Sequence, residues 1–220
     1  MVIGQKKINI KAPKSGLFIF FEYPLEKAND ILYNIGMEKF YVFLDIDGTL
    51  WDRKWAKTPY MLESTFFNPA SVDAVHFLCN ELKSRNFDPN IVIISKQRAD
   101  WDDCLDTLSY NNMPNNVPFF KLPIGKYTRG ERISLFMYDA SKKRNITKGT
   151  RLFTPLDKLH FNYTDKVLNF VVIDDNPSQL KNIPERHYIK TNINDGSLQK
   201  CQIEQFLEYL DSKLGSEPEA

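Results

Sequence analysis

Residues 41–52 read Tyr41-Val42-Phe43-Leu44-Asp45-Ile46-Asp47-Gly48-Thr49-Leu50-Trp51-Asp52. Four apolar residues run without interruption into a pair of carboxylates, Asp45 and Asp47, and a Gly-Thr step follows at once. A short continuous apolar run predicts a strand buried on both faces, as in a parallel sheet. The polar residues that end it then lie at the carboxyl edge, where open α/β sheets place their ligands. Two carboxylates held together at such an edge repel each other unless a cation joins them.

The same pattern recurs twice. Ile91 to Ile94 is a second apolar run and ends in Ser95; Phe170 to Ile173 is a third and ends in Asp174-Asp175. Helical stretches separate them. Asn68-Pro69 reads as an N-cap followed by proline at the first helical position. Val72, Val75, Leu78, Cys79 and Leu82 then predict a helix over about 69–85, and Trp101, Leu105 and Leu108 predict another over about 100–110. Strands alternating with helices predict an α/β fold with a doubly wound, mainly parallel sheet and helices on both faces. The three polar strand ends must then share one edge. Four converging carboxylates imply a divalent cation, and a hard ion such as Mg2+ suits an all-oxygen donor set.

Elsewhere the reading is coarser. Residues 1–37 are expected to be an N-terminal extension packed on the core, with a short helix near 24–35 that stops at Gly36. The main domain spans 38–214, and 215–220 form a frayed tail. Residues 111–130 carry loop signals. Arg132 to Tyr138 and Thr150 to Phe153 flank a polar stretch, which predicts a small inserted β-hairpin. Thr154-Pro155 and Asn176-Pro177 each open a short helix, Tyr188 to Lys190 forms a last strand, and Ser197 caps a final helix. A net charge of +1 gives no global field for nucleic acid or membrane. No apolar run approaches the roughly 20 residues that span a bilayer, and the first residues lack the apolar core of a signal peptide. Three scattered cysteines, Cys79, Cys104 and Cys201, suit a reducing compartment and are expected to act as small hydrophobes. The expectation is a cytoplasmic protein.

Asp45-Ile46-Asp47-Gly48-Thr49 resembles the first motif of the haloacid dehalogenase superfamily of phosphohydrolases. Ser95 resembles its second motif and Asp174-Asp175 its fourth, and the resemblance covers about residues 38–190. It implies a Rossmann-like haloacid dehalogenase fold and a Mg2+-dependent phosphatase. In that scheme Asp45 attacks the phosphoryl group to give an aspartyl-phosphate. Asp47 protonates the leaving oxygen, then activates water, and its backbone carbonyl joins the metal site. Ser95 and backbone N–H groups of the first loop hold phosphate oxygens. Metal contact falls to Asp45, Asp47, Asp174 and Asp175. The family's third motif is a lysine near the start of the helix before the fourth-motif strand. Its expected place holds Thr154, so Lys158, one turn on, is the candidate, with Lys148 and Lys126 as alternatives.

Only 17 irregular residues, 51–67, separate the first motif from the next helix, too few for a large cap domain. That organisation resembles the capless branch. The inserted segment and Leu156 to Leu159 are similar to phosphatases of protein C-terminal tails, and Ile94-Ser95-Lys96-Gln97 is similar to magnesium-dependent phosphatases. Gly48 and Ser95 depart from the tail-phosphatase pattern, which has a bulkier residue and a threonine there. An open site suits a macromolecular phosphate, on a phosphoprotein or a nucleic-acid end. Trp51, Trp55, Arg53, Lys54 and Lys57 could contact such a substrate, or form a hydrophobic flap with solvated charges. A small-molecule or nucleotide phosphatase, and a catalytically weak binding or regulatory module on the same fold, remain alternatives.

Overall fold

Glu38–Leu44 forms strand β1, and its side chains alternate between two cores. Phe40, Val42 and Leu44 enter one; Phe43 enters the other, with Tyr41 packed against it. The period of two along a strand produces this division when both faces are covered. The computed structural model describes residues 37–57, 66–141, 169–194 and 197–215, with backbone alone at 97 and 98. The chain divides into two units, Met1–Met37 and Glu38–Ala220. The expected N-terminal helix, the 150–153 strand, the 154–163 helix and the tail beyond 215 lie outside the described residues.

The remaining strands are β2 (Phe87–Ile93), β3 (Phe119–Lys121), β4 (Phe170–Asp174) and β5 (Tyr188–Lys190). All pairs are parallel, in the order β3-β2-β1-β4-β5. The sheet is open and Rossmann-like, as the buried apolar runs predict. Ile91 and Ile93 of β2 and Val171 and Ile173 of β4 face the same core as Val42, while Val92 and Val172 face the other.

Helices α1 (Pro69–Ser84), α2 (Trp101–Tyr110) and α4 (Lys200–Leu214) supply the first core. Helix α3 (Arg129–Ser141) supplies the second through Ile133, Phe136 and Met137. Right-handed crossovers running outward from β1 to β3 place their helices on one face; the return crossover to β4 must use the opposite face. The chain reverses direction between β1 and β4, and the carboxyl ends of these two strands flank the switch point.

Helix α1 begins as predicted, with the Asn68 side chain accepting from the Ala70 N–H at 3.1 Å and Pro69 at its first position. Helix α4 differs in detail. Gln199 is its N-cap, its N–H bonded to the Gln202 side chain at 2.8 Å. Ser197 instead sits between Asn68 and Ser71, joining the starts of α1 and α4. After Pro177 there is only a single 3-10 turn, Pro177–Gln179, where a helix was expected. Cys79 and Cys104 are buried, but Cys201 is exposed on α4, against expectation.

The main correction concerns residues 132–138, which are helical and not one arm of a hairpin. The β-prone Ile133, Phe136 and Tyr138 suggested a strand, yet tertiary packing overrides such preferences. Thr128 and Glu131 form a reciprocal cap: Thr128 N–H donates to Glu131 Oε2 at 2.7 Å, and Glu131 N–H donates to Thr128 Oγ1 at 3.3 Å. Phe136 then meets Tyr41 and Phe43 edge-on, with ring centroids 5.3 and 5.4 Å away. This helix has a mutational signature. Ile133→Ala and Phe136→Ala should each lower unfolding free energy by about 2–5 kcal/mol, and Tyr138→Ala by clearly less, in urea titrations. A strand would instead group position 136 with 138.

Candidate active site

Strand register brings the acids together. Leu44 pairs with Ile173, so Asp45 and Asp174, one residue further on each strand, stand side by side at the switch point. Asp45 N–H donates to the Ile173 carbonyl at 3.0 Å, which fixes that level. Asp175 follows directly. One carboxylate oxygen from each of Asp45, Asp174 and Asp175 lies within 4.8 Å of the others.

Arg129, the first residue of α3, closes the group from the opposite face. Its Nη1 donates to Asp45 Oδ2 at 2.8 Å and also to Asp174 Oδ2. All three side chains are largely removed from water. Sequence reading missed this residue. The available signal was Thr128-Arg129-Gly130-Glu131, whose first and last members form the helix cap and so place Arg129 at a helix start. Gly130 sets how closely that start can dock. A Cβ there would collide with the Asn182 side chain, which itself donates to Ser134 Oγ at 2.7 Å.

Burial, and next the neighbouring Asp174 carboxylate, push Asp45 up to about 7, against the opposing pull of Arg129 and the Ile46 N–H. Burial also raises Asp174, although Arg129 and the Asn176 N–H pull it down. Asp175 is raised mainly by burial, with Arg129 opposing and Asp47 contributing a little. Carboxyls held in this state favour any cation that reaches them.

The first loop folds tightly over Asp175. Gly48 has φ +75°, and a Cβ there would overlap the Asp175 carboxylate. The N–H groups of Gly48, Thr49, Leu50 and Trp51 donate to carbonyls inside the turn, at 2.7 to 3.2 Å. Those four donors shape the turn itself. Thr49 is buried and shares a hydrogen bond with Thr191 at 2.9 Å.

Asp47 is exposed and stands outside the carboxylate triad. Ser95 is fully buried just past the end of β2, where Ile94 N–H donates to the Leu44 carbonyl at 2.9 Å. Lys158 and Lys148 lie outside the described residues. Lys126 is exposed, 5.4 Å from the centre of the Tyr127 ring. Among the described residues, the cation beside Asp45 is therefore Arg129. Three hard carboxylate donors at this separation are a chemically suitable set for Mg2+, with waters completing its shell.

No protein-family model matches the chain, and neither a curated protein nor a solved structure shows significant similarity to it.

The site's electrostatics give a signed pH dependence. A carboxyl whose folded pKa is raised contributes stability that is complete below its unfolded pKa and lost as pH rises through the folded value. With chelator present, wild-type stability should therefore fall between about pH 4 and 7 on account of Asp45. Arg129→Met should deepen that loss. The variant should cost about 3 kcal/mol at pH 8, where two carboxylates face each other uncompensated, and much less at pH 5, where they take up protons. Urea unfolding in chelator at the two pH values measures the difference.

Proposed function

We propose that the chain is a Mg2+-dependent phosphomonoester hydrolase working through an aspartyl-phosphate on Asp45. The observation that carries this reading is the meeting of Asp45, Asp174 and Asp175 within 4.8 Å at the carboxyl edge, with Arg129 against Asp45. The resemblance of residues 45–49 to a phosphohydrolase motif supports it.

Asp45 is the nucleophile. Its carboxylate oxygen bonds to phosphorus as the ester P–O bond breaks. Asp47 delivers a proton to the leaving oxygen. It then takes a proton from water as that water attacks phosphorus and frees the Asp45 carboxylate, releasing inorganic phosphate. The exposure of Asp47 suits a group that must reach both substrate and water. Arg129 offers a fixed positive charge to the phosphoryl oxygens, and the Ser95 hydroxyl contributes a donor at the next strand end. Asp45, Asp174 and Asp175 would hold Mg2+, whose charge lets an anionic nucleophile approach an anionic ester.

The substrate is an exposed phosphate on a macromolecule, a phosphoprotein or a nucleic-acid end. Small-molecule phosphates are the alternative. No helix among the described residues is long and apolar enough to cross a membrane. Cys79, Cys104 and Cys201 are in no disulfide, which supports a reducing, cytoplasmic setting. One observation favours a second reading, a regulatory module with little turnover: Arg129 already occupies an oxygen of the intended nucleophile.

Phosphate release from an aryl phosphate separates the two. The enzyme reading expects release that needs Mg2+ and disappears in chelator. Asp45→Asn should abolish it, and Asp47→Asn should reduce it about 10²–10⁴-fold. Absence of release across aryl phosphates, phosphopeptides, phosphorylated oligonucleotides and sugar phosphates would leave only the regulatory module.

A further inference from the structure

Beside the carboxylate cluster, at the same edge of the sheet, lies a cavity of about 430 Å³. Its walls come from the first loop (Asp52, Lys54, Trp55), the end of β5 (Lys190, Thr191) and the approach to α4 (Ser197, Gln199, Gln202). Thr191 joins it to the acidic cluster. The Thr191 N–H donates to the Asp174 carbonyl at 3.0 Å, and its hydroxyl meets that of Thr49. A group in the cavity and a group on Asp45 could therefore belong to one molecule.

Much of the polar wall is already committed. Asp52 accepts from the N–H groups of Trp55 and Ser197 at 2.8 and 3.2 Å, and from Asn68 Nδ2 at 3.4 Å. Burial pushes its carboxyl up, but those hydrogen bonds prevail and hold it below the usual range. Gln202 Nε2 donates to the Lys190 carbonyl at 2.8 Å, Gln199 Nε2 to the Ser197 carbonyl at 3.1 Å, and Trp55 Nε1 to the Phe66 carbonyl at 3.2 Å. Lys54 and Lys190 differ. Both are exposed, both line the cavity, and neither ammonium has an ion pair or hydrogen bond among the described residues. The one carboxylate in the lining, Asp52, is occupied by its own donors. Two cations without a partner among the described residues, set in a polar wall, describe a place for an anion.

We infer that this cavity binds a second phosphate of the substrate, between Lys54 and Lys190, while the scissile phosphate sits at Asp45, and that the substrate is the phosphorylated end of a single-stranded nucleic acid. The inference rests on the proposed phosphatase reading for the position of the scissile group. Lysines interleaved with an aromatic ring, here Trp55, are the combination that tracks a phosphate backbone and stacks its bases. A substrate with a single phosphate leaves the two lysines unused. One with phosphates on adjacent nucleotides engages both sites.

The test is a binding titration on Asp45→Asn protein, which cannot turn over ligand, with a 3′-labelled, 5′-phosphorylated tetranucleotide read by fluorescence anisotropy. Competition should rank a 5′-phosphorylated dinucleotide at least tenfold above a mononucleotide. Lys54→Gln/Lys190→Gln should weaken tetranucleotide binding at least tenfold and lower the slope of log affinity against log salt by about 0.7, the value for one lost phosphate contact on a single strand. Lys54→Arg/Lys190→Arg should keep both, and thermal melts check that each variant folds. Equal affinity for dinucleotide and mononucleotide, a comparison that needs no lysine variant, overturns the inference. So does a glutamine variant that binds like its parent. A doubly phosphorylated peptide that matches the tetranucleotide overturns the nucleic-acid assignment. Failure here with intact Mg2+-dependent release from aryl phosphate rejects the second site alone. Failure of that release with the lysine effects intact rejects the phosphatase reading instead.

Discussion

Three carboxyl groups are forced into one small, partly dry volume by strand register, and one guanidinium offsets them. Most of the structure near the switch point follows from that constraint. Asp45 and Asp174 cannot separate without breaking the β1–β4 ladder. Their repulsion is answered instead by a helix start delivered from the opposite face of the sheet. That delivery depends on the absence of a side chain at Gly130 and on Asn182 bridging to Ser134. The second core, with Phe136 against Tyr41 and Phe43, thus fixes a charge as well as burying apolar surface.

The same edge is secured on its other side by hydrogen bonds. Asp52 ties the first loop to Asn68 and Ser197, and Thr49 ties it to Thr191. The links to Ser197 and Thr191 connect positions 145 and 142 residues apart in sequence. Hydrogen bonds to a charged, buried carboxylate such as Asp52 are worth more than neutral ones. The loop that follows Asp45 and Asp47 therefore stays in register with β5 and α4, and the wall beside the site keeps its shape.

How far the sequence discloses this varies with the type of signal. Continuous apolar runs ending in polar residues, acids at β1 and β4 and a serine at β2, place these three strands, because burial on both faces favours unbroken apolar sequence. Asn68-Pro69 marks the start of α1 because cap and proline act within three residues. Segments decided by distant contacts are less legible. β3 is only three residues long and exists because β2 offers it a partner. Helix α3 carries β-prone residues, and its helical form depends on a cap and on aromatic partners from β1. The triad was visible in sequence as strand ends, whereas Arg129 was not. A lone arginine in a loop-like stretch acquires meaning only when the return crossover brings it over the switch point.

The central strand also sets a timetable. β1 is made well before β4, whose first residue is Phe170, yet one of its two edges is covered only by that strand. Until then the emerging chain presents Tyr41 to Leu44 with unpaired backbone groups along that side, and pairing across so long a span is slow to nucleate. The Asp45 carboxylate meets its neighbours only when that ladder zips. Assembly of the acidic cluster and completion of the sheet are thus the same event, and a ribosome that stalls before residue 170 leaves an adhesive strand edge in place of that cluster.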